Sequence, residues 1–208
     1  FIASLLQAKY KVGKTPGNYN TRCTLPLSIL NREGGEEVLV LEMGMEEPGD
    51  IGKLVPIADP EIAVVTKIAL AHAAFFPGGL AQIAQNKAQI FSGKKLQFAI
   101  FPEELASFSN TIEQVPIHKR IGFSLNPTSC EYQHRSQGDQ EWIYEKGIPS
   151  YCFSWQMPRY LLHNFLASVA VARKLGLTWE EIEERRPLLG MPKMRFEKIE
   201  KEGALYIN

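Results

Sequence analysis

The sequence predicts an α/β fold with a mostly parallel central sheet flanked by helices. Residues 38–44 and 62–68 are short apolar runs rich in β-branched side chains, which is typical of strands buried on both faces. Residues 48–58 lie between these runs and carry apolar residues along one helical side. Because alternation of strand and helix favours parallel strands joined by crossover helices, the three segments are predicted to form a β-α-β unit.

The alternation continues beyond the second strand. Residues 78–91 have apolar positions at helical spacing, and residues 95–101 then alternate like another strand. The inward stripe of this helix is predicted to contain Leu80, Ile83, Ala84, Lys87 and Phe91. Between residues 117 and 155 the runs are shorter and include the turn signals Asn126-Pro127 and Lys146-Gly147, which predict a small antiparallel extension.

Two helices are predicted to complete the domain. Residues 158–176 begin with a proline, end with a glycine and carry a continuous apolar side. Thr178 can cap the next helix, which is predicted over residues 179–189. The two segments form a helical pair.

Composition and charge exclude several classes of protein. The 208 residues are 45% hydrophobic and 22% charged, which is typical of a globular protein, and 23 basic residues balance 23 acidic ones. No net field would therefore attract nucleic acid, and no apolar run approaches the roughly 20 residues of a membrane span. Cys23, Cys130 and Cys152 are widely spaced without a CxxC pair, which favours a reducing cytoplasm over a disulfide framework or zinc site.

Two candidate anion-binding motifs lie near residue 14. Gly13-Lys14-Thr15 matches the end of a phosphate-binding loop, but Ala8 stands where that motif needs its first glycine, so we predict an exposed turn. Residues 15–21 are mostly small and polar, and such a loop can offer donors to an anionic ligand. A plain turn is the alternative for this loop.

An acidic residue and an imidazole follow the two predicted strands. Glu42 lies at the C-terminal end of the first strand, and His72 lies just beyond the end of the second. Ligands of open α/β sheets bind at this edge, where the two side chains can share a crevice and hold a divalent metal that bridges phosphate oxygens. The alternatives are a solvated or capping glutamate and a hydrogen-bonded histidine.

Lys87 lies on the inward stripe of its helix, which is unusual for an amine. The ordinary explanation is that its stem packs against apolar residues while the amine reaches water. The alternative is a desolvated lysine whose lowered pKa lets it react as the free amine.

Four motifs follow one another along the first 91 residues. They are Thr15-x-Gly17-Asn18-x-Asn20, then Glu42-Met43-Gly44 with Pro48-Gly49-Asp50-Ile51, then Thr66-x-Ile68-x-x-Ala71-His72, and finally Ile83-Ala84-x-x-Lys87-x-x-Ile90-Phe91. Each is weak alone, but in this order they resemble the Mur ligase family, and the resemblance continues through residues 162–167 and 194–197. The second motif is most similar to the members that add D-alanyl-D-alanine to the peptidoglycan precursor.

The resemblance implies an ATP-dependent amide ligase of peptidoglycan synthesis, with a role in cell-wall formation, cell shape and cell division. Such an enzyme uses ATP to phosphorylate the carboxylate of UDP-N-acetylmuramoyl-tripeptide, and the amine of D-alanyl-D-alanine then attacks the acyl phosphate. We expect a cytoplasmic monomer that binds no nucleic acid.

The resemblance also implies a metal site. By position, Glu42 and His72 would be magnesium ligands. Lys87 would be carbamylated by carbon dioxide, and its new carboxylate would support a second magnesium ion. These three residues would form the catalytic centre.

Substrate and nucleotide residues are implied in the same way. Thr15, Asn18 and Asn20 would bind the UDP-linked substrate. Asn164 would approach the adenine or ribose of ATP, and Arg195 would contact the nucleotide near a hinge.

Domain organisation follows from the same resemblance. Residues 1–190 would be the central ATP-binding domain without its N-terminal phosphate-loop segment, and residues 191–208 would be the hinge and first strand of a missing C-terminal domain. We therefore expect this chain alone to have little or no ligase activity.

The sequence departs from the family at three positions, and two alternatives to this interpretation are open. Lys67, Ala69 and Tyr160 stand where Asn, Gly and Asn are usual. One alternative is another ATP-dependent amide ligase of the same fold, such as a cyanophycin or folylpolyglutamate synthetase. The other is a binding or scaffold domain that has lost its chemistry.

Overall fold

The computed structural model describes residues 1–70, 73–154, 158–189, 198–201 and 204–207. The N-terminal part consists of two short helices and two short strands. They are α1 (Ile2–Leu6), β1 (Val12–Lys14), α2 (Thr24–Leu30) and β2 (Val38–Val40). β1 and β2 pair in parallel, and their valines pack against the main hydrophobic core.

Strand β1 takes the place of the exposed turn predicted at Gly13-Lys14. Gly13 lies opposite Leu39 in the parallel pair, and a Cβ atom on Gly13 would come within 2.6 Å of Leu39 Cδ2. The glycine therefore leaves room for a side chain of the neighbouring strand. The turn prediction was wrong because the partner strand lies 26 residues away from Gly13 along the chain and cannot be identified from the local motif.

The predicted order of strand, helix and strand is confirmed, but the two strands belong to different sheets and are not paired with each other. Helix α3 (Asp50–Ala58) connects β2 to β3 (Ile62–Val64), and it begins after Gly49, whose φ of 87° favours glycine. Helix α4 (Gly79–Ala88) continues into a 3-10 turn over Gln89–Ser92 and leads to β4 (Phe98–Pro102). Ile83 and Phe91 are buried as predicted, whereas Leu80 is 40% exposed because it lies in the first turn of α4.

The main sheet has six strands that lie side by side in chain order. After β3 and β4 these are β5 (Arg120–Ser124), β6 (Tyr132–Gln137), β7 (Gln140–Glu145) and β8 (Ile148–Phe153). Strands β3 to β6 are parallel and β6 to β8 are antiparallel, which confirms a mostly parallel sheet with an antiparallel extension. Lys146 and Gly147, with φ of 53° and 80°, form the turn between β7 and β8.

Strand β5 differs from the prediction, because it lies within the segment expected to be antiparallel and yet pairs in parallel with β4. The connection from β4 passes through 3-10 turns at Glu103–Ser107 and Ile117–Lys119, which return the chain to the edge where β4 begins. The connection is long enough for a parallel crossover without a full helix.

Two helices follow the sheet. Helix α5 (Arg159–Lys174) packs its apolar side against β4, β5 and β6. Helix α6 (Trp179–Arg185) begins with a capping box between Thr178 and Glu181, as the cap prediction required. It is shorter than predicted because Pro187 cannot continue an α-helix, and a 3-10 turn over Arg186–Leu188 replaces the last part.

Beyond α6, the structure describes strands β9 (Lys198–Lys201) and β10 (Ala204–Ile207), which pair antiparallel. The domain boundary at residue 190 stays a prediction. Across the described ranges, no helix has the length and apolar character needed to cross a membrane.

Asn86 joins α3 to α4 and gives a stability prediction. Its Oδ1 accepts hydrogen bonds from Gly49 N at 2.8 Å and from Gln89 Nε2 at 3.4 Å, and its side chain is almost completely buried. Asn86→Ala should lower the free energy of unfolding by about 1–3 kcal/mol, because a buried N–H loses its acceptor. Urea denaturation measures this change, and the exposed Asn31→Ala should stay within about 0.5 kcal/mol of the wild type. Equal midpoints for both variants would contradict the role of Asn86.

Candidate active site

A cleft of about 660 Å³ opens beside the carboxyl ends of β2 and β3. Its walls are formed by residues 20–23, 42–46 and 64–66, together with side chains of α3 and α4 and of the turn after α4. Three of the predicted site residues, Asn20, Glu42 and Lys87, line this cleft. The carboxyl edge of the parallel strands is where an open α/β sheet is expected to bind its ligand.

The other predicted residues are distributed differently. Thr15 and Asn18 belong to the adjoining loop but not to the cleft lining, and Asn164 lies half-buried on α5 away from it. His72 and Arg195 lie outside the described residues. Their predicted roles stay predictions.

The backbone and the side chain of Glu42 are both held by the loop over residues 15–20. The backbone N–H of Glu42 donates to Thr15 Oγ1 at 2.9 Å, and Asn20 Nδ2 donates to Glu42 Oε1 at 2.9 Å. Thr15 is itself tied to β2 through a hydrogen bond from its N–H to Val40 O at 3.0 Å. The loop is therefore attached to the end of β2, and it orients the carboxylate of an otherwise exposed residue.

The tip of that loop is a turn. Tyr19 N donates to Pro16 O at 3.1 Å, and Gly17 has a φ of 53°. Asn18 is exposed at the tip. The tip of the loop is therefore the turn expected from its composition. After the tip, Asn20 is held by its hydrogen bond to Glu42.

Lys87 contributes an amine to the opposite wall of the cleft. Its Nζ donates to the backbone carbonyl of Lys67 at 2.7 Å, and the side chain is half-buried. Burial is the main cause that lowers the pKa of Lys87, and the positive charge of Lys67 lowers it further. At neutral pH a larger fraction of this lysine is neutral, and therefore nucleophilic, than in an ordinary surface lysine.

The charge of Lys67 leads to a testable prediction about this amine. Lys67→Gln should raise the pKa of Lys87, because one positive charge near its ammonium group is removed while the burial stays. The pH at which Lys87 is half-labelled by an amine-reactive reagent should therefore increase. Peptide mass spectrometry after labelling measures it, with Lys53 as the internal exposed control. An unchanged labelling profile would show that Lys67 does not act on Lys87.

The acidic side chains of the cleft differ in whether their oxygens already have hydrogen-bond partners. Asp50 is occupied, since its Oδ2 accepts from Glu47 N at 2.9 Å and its Oδ1 accepts from Lys53 Nζ at 3.2 Å. The backbone N–H of Glu47 is the main cause that lowers the pKa of Asp50. Within the described part of the chain, Glu42 Oε2 has no hydrogen-bond partner. This oxygen is therefore free to bind a hard cation.

The described residues contain no group of three or more His, Cys, Asp and Glu side chains close enough to hold a metal. Glu42 lines the cleft with an oriented carboxylate, and carboxylate oxygen suits magnesium, which usually keeps several waters and takes only one or two carboxylates. The residues present therefore fit a magnesium ion bound largely by water and phosphate oxygen. The described residues do not surround this position with many protein ligands.

Arg22 and Cys23 also line the cleft, and the sequence patterns did not single them out. In the described ranges, no hydrogen bond or ion pair is formed by the Arg22 side chain, so its guanidinium is available to an anion. The signal that could have found it is its position directly after the loop over residues 15–21. Arg22 lines the same cleft as Asn20, which belongs to that loop.

The start of α5 forms a second polar region. His163 packs edge-on against Phe123, and within the described residues its buried Nδ1 has no hydrogen-bond partner. Burial is the largest cause that lowers the pKa of His163. Beside this helix, a second cleft of about 450 Å³ contains Arg159 and a hydrogen bond of 2.6 Å between His134 Nε2 and Glu141 Oε2. Asn164 lines neither cleft.

Known proteins resemble this chain in sequence and in fold. Residues 1–172 match the family model described as Mur ligase middle domain. The whole chain aligns at 31% identity with the UDP-N-acetylmuramoyl-tripeptide--D-alanyl-D-alanine ligase of Borreliella burgdorferi and covers 45% of it.

Solved structures also resemble this chain. The MurF ligase of Thermotoga maritima in complex with ADP has a TM-score of 0.75 at 31% identity, over 99% of this chain and 48% of that one. A MurF crystal structure from Acinetobacter baumannii shares the fold, with a TM-score of 0.80 at 21% identity over 99% of this chain and 46% of that one. The chain thus spans about half the length of the proteins that it matches.

Proposed function

Because the chain belongs to the Mur ligase family through its middle domain, we propose that it forms the ATP-handling part of an amide ligase. The reaction is the addition of D-alanyl-D-alanine to UDP-N-acetylmuramoyl-tripeptide in peptidoglycan synthesis. The observation that carries this proposal is the cleft that brings Asn20, Glu42 and Lys87 together at the carboxyl edge of the sheet. The named relative and the ADP complex support the same substrates and nucleotide.

Two transfers make up the proposed reaction. A carboxylate oxygen of the tripeptide attacks the γ-phosphorus of ATP, which forms an acyl phosphate and releases ADP. The amine of D-alanyl-D-alanine then attacks the acyl carbon, inorganic phosphate leaves, and the amine loses a proton. Both steps build negative charge on oxygen, so the cleft must supply positive charge and positioned donors.

Glu42 is proposed to hold magnesium through Oε2, the oxygen that is not bonded to Asn20, with His72 as a second ligand. A magnesium ion at this position would neutralise charge on the phosphate oxygens during transfer. Thr15 and Asn20 keep the backbone and one carboxylate oxygen of Glu42 in place. Thr15 and Asn20 therefore orient the carboxylate of Glu42, and the protein supplies few ligands to the magnesium ion.

Lys87 is proposed to carry a carbamate that supports a second magnesium. Its neutral amine would attack carbon dioxide, form a C–N bond and lose a proton, which converts a cationic side chain into an anionic one. The lowered pKa of Lys87 favours this attack, because burial increases the neutral fraction of the amine. Nζ is 2.7 Å from the carbonyl oxygen of Lys67, which keeps the amine directed along the cleft wall.

Thr15, Asn18 and Asn20 are proposed to contact the UDP-linked substrate, and Asn164 and Arg195 the nucleotide. The support for Asn20 is its place in the cleft, and Thr15 and Asn18 lie on the same loop. Arg22 adds a guanidinium to the wall beside them. We place the reaction in the cytoplasm, in keeping with three cysteines that are all unpaired.

The test is release of ADP by the gene product that contains this chain. ADP release should require ATP, UDP-N-acetylmuramoyl-tripeptide and D-alanyl-D-alanine together, and omission of either substrate should abolish it. Replacing them by folate with glutamate, or by cyanophycin primers, tests the other ligases of this fold. Failure to bind ATP would leave only the scaffold alternative.

A further inference from the structure

We propose that Asn20 is a positioning residue that orients the carboxylate of Glu42 for the cation. The glycine at residue 44 leaves room for the amide group of Asn20. This inference rests on the proposed metal role of Glu42. It differs from the substrate contact that the family resemblance implies for Asn20, because here the effect of Asn20 passes through Glu42.

Asn20 makes two hydrogen bonds with the segment that carries the glutamate. Its Nδ2 donates to Glu42 Oε1 at 2.9 Å, and its backbone carbonyl accepts from Gly44 N at 2.8 Å. Asn20 is thus attached to the Glu42 side chain and to the backbone two residues after it. Such a two-point attachment fixes the amide group relative to the carboxylate.

Gly44 shows how closely the two segments approach. A Cβ atom on Gly44 would lie 2.9 Å from both Cγ and Oδ1 of Asn20, which is closer than side chains tolerate. The φ of Gly44 is outside the left-handed region, so backbone conformation does not require glycine here. The amide of Asn20 occupies the space that a side chain would need.

The arrangement divides the two oxygens of the carboxylate between two tasks. Oε1 is held by the amide, and, among the described residues, Oε2 has no partner and remains free for the cation. Because Glu42 is exposed, its side chain would otherwise sample several rotamers and lose entropy when a metal binds. Partners that orient a metal ligand in this way typically change metal affinity by about 10-fold or more.

The decisive experiment is a double-mutant cycle on the affinity of this chain for Mn²⁺, measured by electron paramagnetic resonance in the presence of ATP. Asn20→Ala should weaken Mn²⁺ binding by about 10-fold. In the Glu42→Ala background, the same Asn20→Ala substitution should change the affinity by less than about 2-fold, because its target is absent. The exposed Asn31→Ala is the matched control and should bind like the wild type.

Gly44→Ala provides an independent variant that leaves both polar side chains present. Its new methyl group should displace the Asn20 amide and weaken Mn²⁺ binding by a similar factor. Gly52→Ala is the control, since its Cβ would meet the amide oxygen of Gln89 at 2.7 Å and would contact neither Asn20 nor Glu42. Thermal melting of all variants identifies any that misfold. In NMR spectra, Glu42→Ala should change the chemical shifts of the Asn20 side-chain amide, because its acceptor is removed.

The outcomes distinguish this inference from the proposed function. If Glu42→Ala leaves Mn²⁺ affinity unchanged, the metal role of Glu42 fails and the inference fails with it. If Glu42→Ala weakens binding but folded Asn20→Ala does not, only the positioning role is overturned. Equal effects of Asn20→Ala with and without Glu42 would also overturn it, because Asn20 would then act on its own.

Discussion

Glu42→Gln should lower ligase turnover by about two to three orders of magnitude, the scale seen when one preorganised electrostatic group is lost at a reacting centre. Glutamine has nearly the same shape and can still accept the hydrogen bond from Asn20. Its amide group, however, removes the negative charge and puts a donor at the position of Glu42 Oε2, which has no hydrogen-bond partner among the described residues. The measurement is kcat and kcat/KM for ADP release by the gene product that contains this chain.

Glu46 supplies the matched control for this experiment. It lines the same cleft and is exposed, yet within the described ranges its side chain makes no hydrogen bond that would orient it. Glu46→Gln should therefore change turnover by less than about 3-fold, in line with a solvated carboxylate. If Glu42→Gln keeps near wild-type turnover, Glu42 is not part of the catalytic centre. If both variants lose turnover equally, the total negative charge of the cleft matters and not Glu42 in particular.

Lys87→Arg should abolish most activity, with a loss of about two orders of magnitude, even though it keeps the positive charge. A guanidinium remains protonated and cannot attack carbon dioxide, whereas the half-buried amine of Lys87 has a lowered pKa and can. Lys87→Met, which keeps the apolar stem, should lose a similar amount. The measurement is again kcat for ADP release.

The comparison of these two variants separates two roles for Lys87. If the lysine acts as a cation that binds phosphate, arginine should retain much of the activity and only methionine should lose it. If it acts as a carbamate, both variants should fail, and ¹³C-labelled bicarbonate should give a carbamate signal in the wild type alone. Thermal melting checks that loss of the hydrogen bond to the Lys67 carbonyl does not unfold the domain.

Much of the architecture was predictable because it depends on local periodicity. The apolar spacing of residues 48–58 and 158–176 gave α3 and α5, and the alternating runs gave the antiparallel strands. Strand lengths were not predictable in the same way. Residues 38–44 and 62–68 are mostly apolar, but only Val38–Val40 and Ile62–Val64 pair, because pairing depends on where the neighbouring strand lies.

The candidate site was partly predictable for a related reason. Strand ends and motif order predicted that Glu42 and Lys87 belong to one site, and both line the cleft. The roles assigned to them, and to His72 and Arg195 outside the described residues, stay predictions. Arg22 was missed because an arginine next to a loop has no distinctive spacing.

The sequence by itself determined the α/β class, the crossover helix α3, the capped helix α6 and the chemical types of the residues at the strand ends. Each of these follows from the spacing or identity of neighbours in the chain. Only the tertiary structure decided that β5 runs parallel, that Asn20 binds Glu42 and that Lys87 binds the carbonyl of Lys67. Those contacts join residues 20 or more positions apart, so they depend on how the packed elements approach one another and not on any local preference.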